Sequence, residues 1–162
     1  MQPEDTYFIR GPRILNENFV IDPHEFVYWN LSYSQAGEDL LVRNMLRSRL
    51  KKGYVGFYAD LGCYEPRLGS NSYLFYRYGW RGICVDANPL FAPHYALVRP
   101  RDVFIHAAVG EEGTGYWAQL PAVAASTVVR TRTEAPAEAT GLLELPFLPL
   151  KTLFDQIGRA HV

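Results

Sequence analysis

The run Phe57-Tyr58-Ala59-Asp60-Leu61-Gly62, followed after a polar loop by Gly82-Ile83-Cys84-Val85-Asp86, restricts the possible folds more than any other part of the chain. A strand buried in a parallel sheet reads as a short continuous apolar run, whereas a half-exposed strand alternates. Residues 56–61 and 82–85 are therefore expected to be neighbouring parallel strands, with a loop and a short helix crossing between them. Ligands of open α/β sheets lie at the carboxyl ends of such strands. Asp60, Gly62 and Asp86 all fall there.

The carboxylate that closes the second strand, about 20 residues past the first loop, is where such folds hold a ribose diol. Asp86 fits that position. Gly62 allows a sharp turn against a ligand, and Ser70, Asn71 and Ser72 offer hydroxyls and amides at the start of the next helix. A dinucleotide site would need G-x-G-x-x-G after the first strand. This loop reads Gly62-Cys63-Tyr64-Glu65-Pro66-Arg67, with one glycine, a proline and an acid. Pyrophosphate is thereby disfavoured. The common ligand with a ribose and no phosphate is S-adenosylmethionine, whose sulfonium and ammonium groups tolerate acids such as Asp60 and Glu65.

Four linked stretches carry a resemblance to a known family. Ser34-Gln35-x-Gly37-Glu38-Asp39, Gly56-Phe57-Tyr58-Ala59-Asp60-Leu61-Gly62-Cys63, Ser70-Asn71-Ser72-Tyr73 and Gly79-Trp80-Arg81-Gly82-Ile83-Cys84-Val85-Asp86-Ala87-Asn88-Pro89 resemble, in order and spacing, the FkbM family of S-adenosylmethionine-dependent methyltransferases. The likeness covers residues 34–156. One departure is Cys63-Tyr64-Glu65-Pro66, where many relatives have a small residue and a glycine. The resemblance implies a Rossmann-like class I methyltransferase fold, here a partial parallel sheet with helices on both faces, and O-methylation of a hydroxyl on a small molecule or sugar. With such a ligand, Asp86 would hold the ribose, Asp60, Gly62, Ser70 and Asn71 would surround the methionine portion, and small Ala107 at the end of the third strand would leave room for adenine, while the resemblance adds Gln35 facing the cofactor. It assigns no general base and no metal.

Along the chain, residues 1–33 are aromatic and apolar without a sustained period and read as an arm packed on a domain spanning 34–156. A helix is expected over 34–52. Ser34 would be its N-cap, Leu41 with Met45 and Val42 with Leu46 and Leu50 fall at helical spacing, a basic cluster closes it, and Gly53 stops it. Further helices are expected over 71–78, with Gly79 as the stop, and from Pro89 to Leu97. Residues 103–109 read as a third strand, and 116–120 with 142–148 as strands that extend the sheet or form a hairpin. Between these two, residues 121–141 read as irregular, and a last helix begins at 149. His106, on the third strand, reads as structural more readily than as a base.

In FkbM relatives a fourth strand with an acidic motif follows the segment resembling Leu150-Lys151-Thr152-Leu153-Phe154-Asp155. Here residues 157–162 instead match the translation of a common sequencing-adapter oligonucleotide. The expectation is a C-terminally truncated domain with a non-native tail, and an open edge on the first strand.

Composition bears on partners. A hydrophobic content of 48% and a net charge of -1 fit a globular chain without a nucleic-acid or anionic-membrane partner. Cys63 and Cys84 read as reduced core residues, and with no signal peptide or membrane-length apolar segment the expected location is the cytoplasm. Two other readings stay open. One is half of a nicotinamide-dependent oxidoreductase, and the other is a non-enzymatic interaction module.

Overall fold

The two apolar runs form neighbouring parallel strands. In the computed structural model, which describes residues 30–122 and 125–160 with side chains through residue 155, β1 (Phe57–Leu61) pairs with β2 (Arg81–Asp86) in register Asp60 to Cys84 and Leu61 to Val85. β3 (Val103–His106) continues on the far side of β2, giving a parallel sheet in the order β1-β2-β3. The protein is mixed α/β.

The chain divides into two compact units. One comprises residues up to Val55 together with Arg67–Gly79, and the other Gly56–Pro66 together with Trp80 onward.

In the first unit the expected single helix is two pieces, α1 (Glu38–Met45) and α2 (Arg47–Leu50), separated at Leu46, whose φ of -92° and ψ of 4° leave the helical region. The N-cap position belongs to Gly37, at φ 89°, and not to Ser34. Ser34 still satisfies the helix start, because its Oγ accepts from the amides of Gly37 and Asp39 at 3.1 and 3.3 Å and donates to Asp39 Oδ1 at 2.9 Å. The fully buried Asp39 carboxylate also takes the Ser32 hydroxyl at 2.6 Å and the Tyr33 amide at 2.8 Å. After α2, bonds from Gly53 N–H to Leu50 O and from Tyr54 N–H to Arg49 O make the Schellman ending that Gly53 permits. α3 (Tyr73–Arg77) buries Tyr73, Leu74, Phe75 and Tyr76, and Gly79 at φ 89° ends that turn. The apolar spacing read on α1 does not mark a buried face, because Leu41, Val42 and Met45 are all exposed.

The second unit holds the sheet. Successive residues of a strand face opposite sides, so β2 divides its contacts. On one side Cys84 packs with Cys63, Phe91 and Tyr95, the last from α4 (Ala92–Val98). On the other, Ile83 and Val85 pack with Ala107 and with Leu153 of α5 (Leu150–Ala160). Helices therefore cover both faces. The predicted third strand splits after His106: the Ala107 amide turns to Asp86 O at 3.1 Å, and β4 (Ala108–Val109) joins a different sheet.

That second sheet has the order β4-β7-β5-β6, from β5 (Gly113–Gln119), β6 (Thr127–Val129) and β7 (Gly141–Leu148). β5 pairs antiparallel with both β6 and β7, so the 116–120 and 142–148 runs are antiparallel neighbours in this sheet and do not extend the parallel one. The stretch 121–141, read as irregular, contains β6 and a short 3-10 turn (Arg132–Glu134) closed by a Thr131/Glu134 capping box. The last helix, expected to begin at 149, runs from Leu150 to Ala160. Residues 1–29, most of the expected N-terminal arm, and 161–162 of the expected tail lie outside the described residues. No helix among the described residues is long and apolar enough to cross a membrane.

Candidate cofactor site

Parallel register brings the ends of β1 and β2 together. Asp60 lies opposite Cys84, and Asp86 follows two residues on, so strand alternation puts both carboxylates on the Cys84 side of the sheet. One strand spacing sideways and two residues along amount to about 8 Å between their Cα atoms. Beyond the strand the chain stays bound to β2, with the amides of Gly62 and Cys63 both donating to Val85 O at 2.8 and 3.1 Å. Gly62 has φ 75°, and a Cβ placed on it would meet nothing within 4 Å. The space beside this backbone is open.

Asp86 holds the two loops in place. Its Oδ2 accepts the Tyr64 amide at 2.8 Å, and its Oδ1 accepts the Asn88 amide at 2.9 Å. Asn88 is almost fully buried and in turn accepts the Leu90 amide at 3.0 Å, which starts the 3-10 turn at Pro89–Phe91. Tyr64 itself sits at φ 53°, the left-handed region that glycine enters without strain, and its ring meets Phe91 edge-on at 4.9 Å between centroids. The departure noted in the loop sequence is therefore a backbone that glycine would favour, fixed instead by a carboxylate bond and an aromatic contact.

The other residues singled out fall in two groups. Ala107 belongs to the sheet unit, where its amide bonds Asp86 O while its methyl is packed with Ile83, Val85 and Leu153. Gln35, Ser70 and Asn71 belong to the helical unit. Gln35 Cγ lies beside Gly69, Ser34 bridges Gly69, and the buried Ser70 Oγ accepts the Tyr73 amide, the first of α3, at 3.1 Å. Asn71 is exposed. His106 Nε2 lies 2.9 Å from Ala87 O, where a carbonyl can only accept, so the ring donates its proton to the backbone.

Sequence reasoning missed the polar cluster under this site. Arg99 is fully buried, with Nε 2.7 Å from Asp102 Oδ2, one terminal nitrogen 2.9 Å from Tyr58 Oη and the other 3.3 Å from Pro66 O. Tyr58 donates to Asp102 at 2.6 Å, and the Gly82 amide donates to the same carboxylate at 2.8 Å. One ion pair thus ties the β1 side chain, the loop after β1 and the start of β2. Its only sequence signal is an Arg three residues before an Asp in a turn. Burial, and then the adjacent Cys84, push the Cys63 thiol far above its ordinary value, which leaves it without thiolate character. Burial likewise pushes the Tyr58 and Tyr95 phenols up.

Among the described residues no group of three or more His, Cys, Asp or Glu side chains could hold a metal ion. No protein-family model, curated protein or solved structure matches this chain.

Proposed function

We propose that the chain is an S-adenosylmethionine-dependent methyltransferase domain of the FkbM type, with a Rossmann-like class I fold, acting on a hydroxyl of a small molecule or sugar. The observation that carries this reading is the pair of acids closing adjacent parallel strands, Asp60 and Asp86, beside a loop whose single glycine opens onto free space. The four-motif resemblance supports it, and the absence of the glycine pattern that a pyrophosphate requires argues against a nicotinamide site.

The residues fit such a ligand. Each Asp86 oxygen accepts one backbone amide, and each retains a second lone pair for a ribose hydroxyl. Gly62 presents bare backbone, and Asp60 carries the charge that a sulfonium or ammonium group tolerates. Bound there, S-adenosylmethionine supplies a methyl group already activated by positive sulfur. The protein's part is to fix the donor and align an acceptor with it. No described residue is assigned as the base that takes the hydroxyl proton, since His106 already donates to Ala87 O.

Calorimetry with S-adenosylhomocysteine and with NAD tests the reading. S-adenosylhomocysteine is expected to bind and NAD not. Asp86→Asn should weaken that binding by roughly 10- to 100-fold, the effect of hydrogen bonds to a charged group. Binding of NAD alone would end this reading. A second reading, a non-enzymatic interaction module, is favoured by exposed Leu41, Val42 and Met45 on α1, and binding of neither ligand would support it.

A further inference from the structure

A cavity of about 670 Å³ has its described lining in the helical unit, where Arg43, Arg47, Lys51, Tyr54 and Tyr78 all border it. The three cations recur every fourth residue from the end of α1 through α2. Although Leu46 separates α1 from α2, all three reach the same cavity. The volume is in the range of small-molecule sites.

Among the described residues no carboxylate lines the cavity. Arg43 is oriented by neutral acceptors, its guanidinium donating to Asn30 Oδ1 at 2.9 Å and toward Asn44 Oδ1 at 3.5 Å, so it is held in place with its charge intact. The nearest acids on α1 are engaged elsewhere, Asp39 with Ser32, Tyr33 and Ser34, and Glu38 with the Ala36 amide. Arg47 and Lys51 make no ion pair with a described residue. Since the whole chain carries a net charge of -1, the patch is a local concentration of positive charge and not an overflow from a basic protein. Concave walls around charge of one sign focus the field and raise the local concentration of anions.

The lining tyrosines narrow the ligand class. Tyr54 and Tyr78 are 47% and 45% exposed, and the Schellman ending at Gly53 fixes the backbone that turns Tyr54 toward the cleft. Exposed flat rings that share a cavity with cations suit a molecule with an aromatic part and a separate anion. Arginine forks match the oxygens of a phosphate.

We propose that this cleft is a binding site for an aromatic phosphomonoester, its phosphate held by Arg43, Arg47 and Lys51 and its ring seated on Tyr54 and Tyr78. The assignment uses none of the residues of the methyltransferase reading and does not depend on it. The probes are phenyl phosphate and inorganic phosphate, titrated into the full chain labelled with nitrogen-15. Phenyl phosphate is expected to shift amides within 43–55 and at Tyr78, and to bind at least threefold more tightly than inorganic phosphate. The double variant R47E/K51E should weaken it at least tenfold with an unchanged circular-dichroism spectrum, because both side chains are exposed. Absence of shifts, shifts spread over arginines elsewhere in the chain, equal affinity for the two probes, or undiminished binding by the folded double variant would each overturn the assignment.

Discussion

Arg99 is the residue on which the sheet unit most depends. It is completely buried, and its partner Asp102 has a fully buried side chain, so neither charge has water to fall back on. Removing one member of a buried pair leaves the other uncompensated, at about 3–5 kcal/mol. Arg99→Met should therefore lower the urea midpoint by an amount equivalent to about 3–5 kcal/mol, an outcome that equilibrium denaturation followed by circular dichroism would check. The buried phenols and thiol make a second prediction at this scale. Tyr58, Tyr95 and Cys63 are neutral when protonated, and burial raises all three above ordinary values of 10.0 for the phenols and 9.0 for the thiol. The folded state then keeps protons that the unfolded chain releases. The stability they supply is fully present below those ordinary values and is lost progressively above them. Denaturation midpoints should be level between about pH 6 and 8 and fall above about pH 9. Tyr95→Phe should flatten that fall while costing about 1 kcal/mol at neutral pH through the lost bond to Cys63 O.

Among the elements, β5 and β7 illustrate how tightly the second sheet is built. A Cβ on Gly115 would run into the Phe147 ring and come within 2.6 Å of Val129 O, and the backbone atom cannot rotate away. Gly115→Ala should cost about 1–3 kcal/mol by overpacking. That corresponds to about 2–4 °C in Tm per kcal/mol for a chain of this size, which scanning calorimetry would measure. Legibility in the sequence followed the range of the forces involved. β1, β2, β5, β7 and α3 were readable because their apolar runs and glycine stops are local. The break at Leu46 was not, since Leu41, Val42, Met45 and Leu46 keep helical spacing across it while the first three face outward. Nor was the division of 103–109 into β3 and β4. Val103-Phe104-Ile105-His106-Ala107-Ala108-Val109 is one unbroken run, and its change of sheet is decided by partners in β2 and, about 40 residues later, β7. β6 has only three residues, too few for a period to register.

Across the whole molecule, the candidate site was legible to the extent that residue type and strand order define it. Asp60, Gly62 and Asp86 meet at the ends of two parallel strands, as their positions after apolar runs imply. The grip of Asp86 on the Tyr64 amide, the left-handed Tyr64 and the core-facing methyl of Ala107 depend on closures that no local pattern carries. The Arg99 cluster is the extreme case, for its bonds reach 3, 15, 33 and 41 residues back or forward along the chain, and the Tyr58 to Asp102 bond spans 44. During synthesis, then, Tyr58 emerges from the ribosome long before its partner exists. At roughly 5–20 residues per second, β1 waits about 2–9 s for Asp102 to be made. Throughout that interval the nascent apolar segment is a natural client for a chaperone.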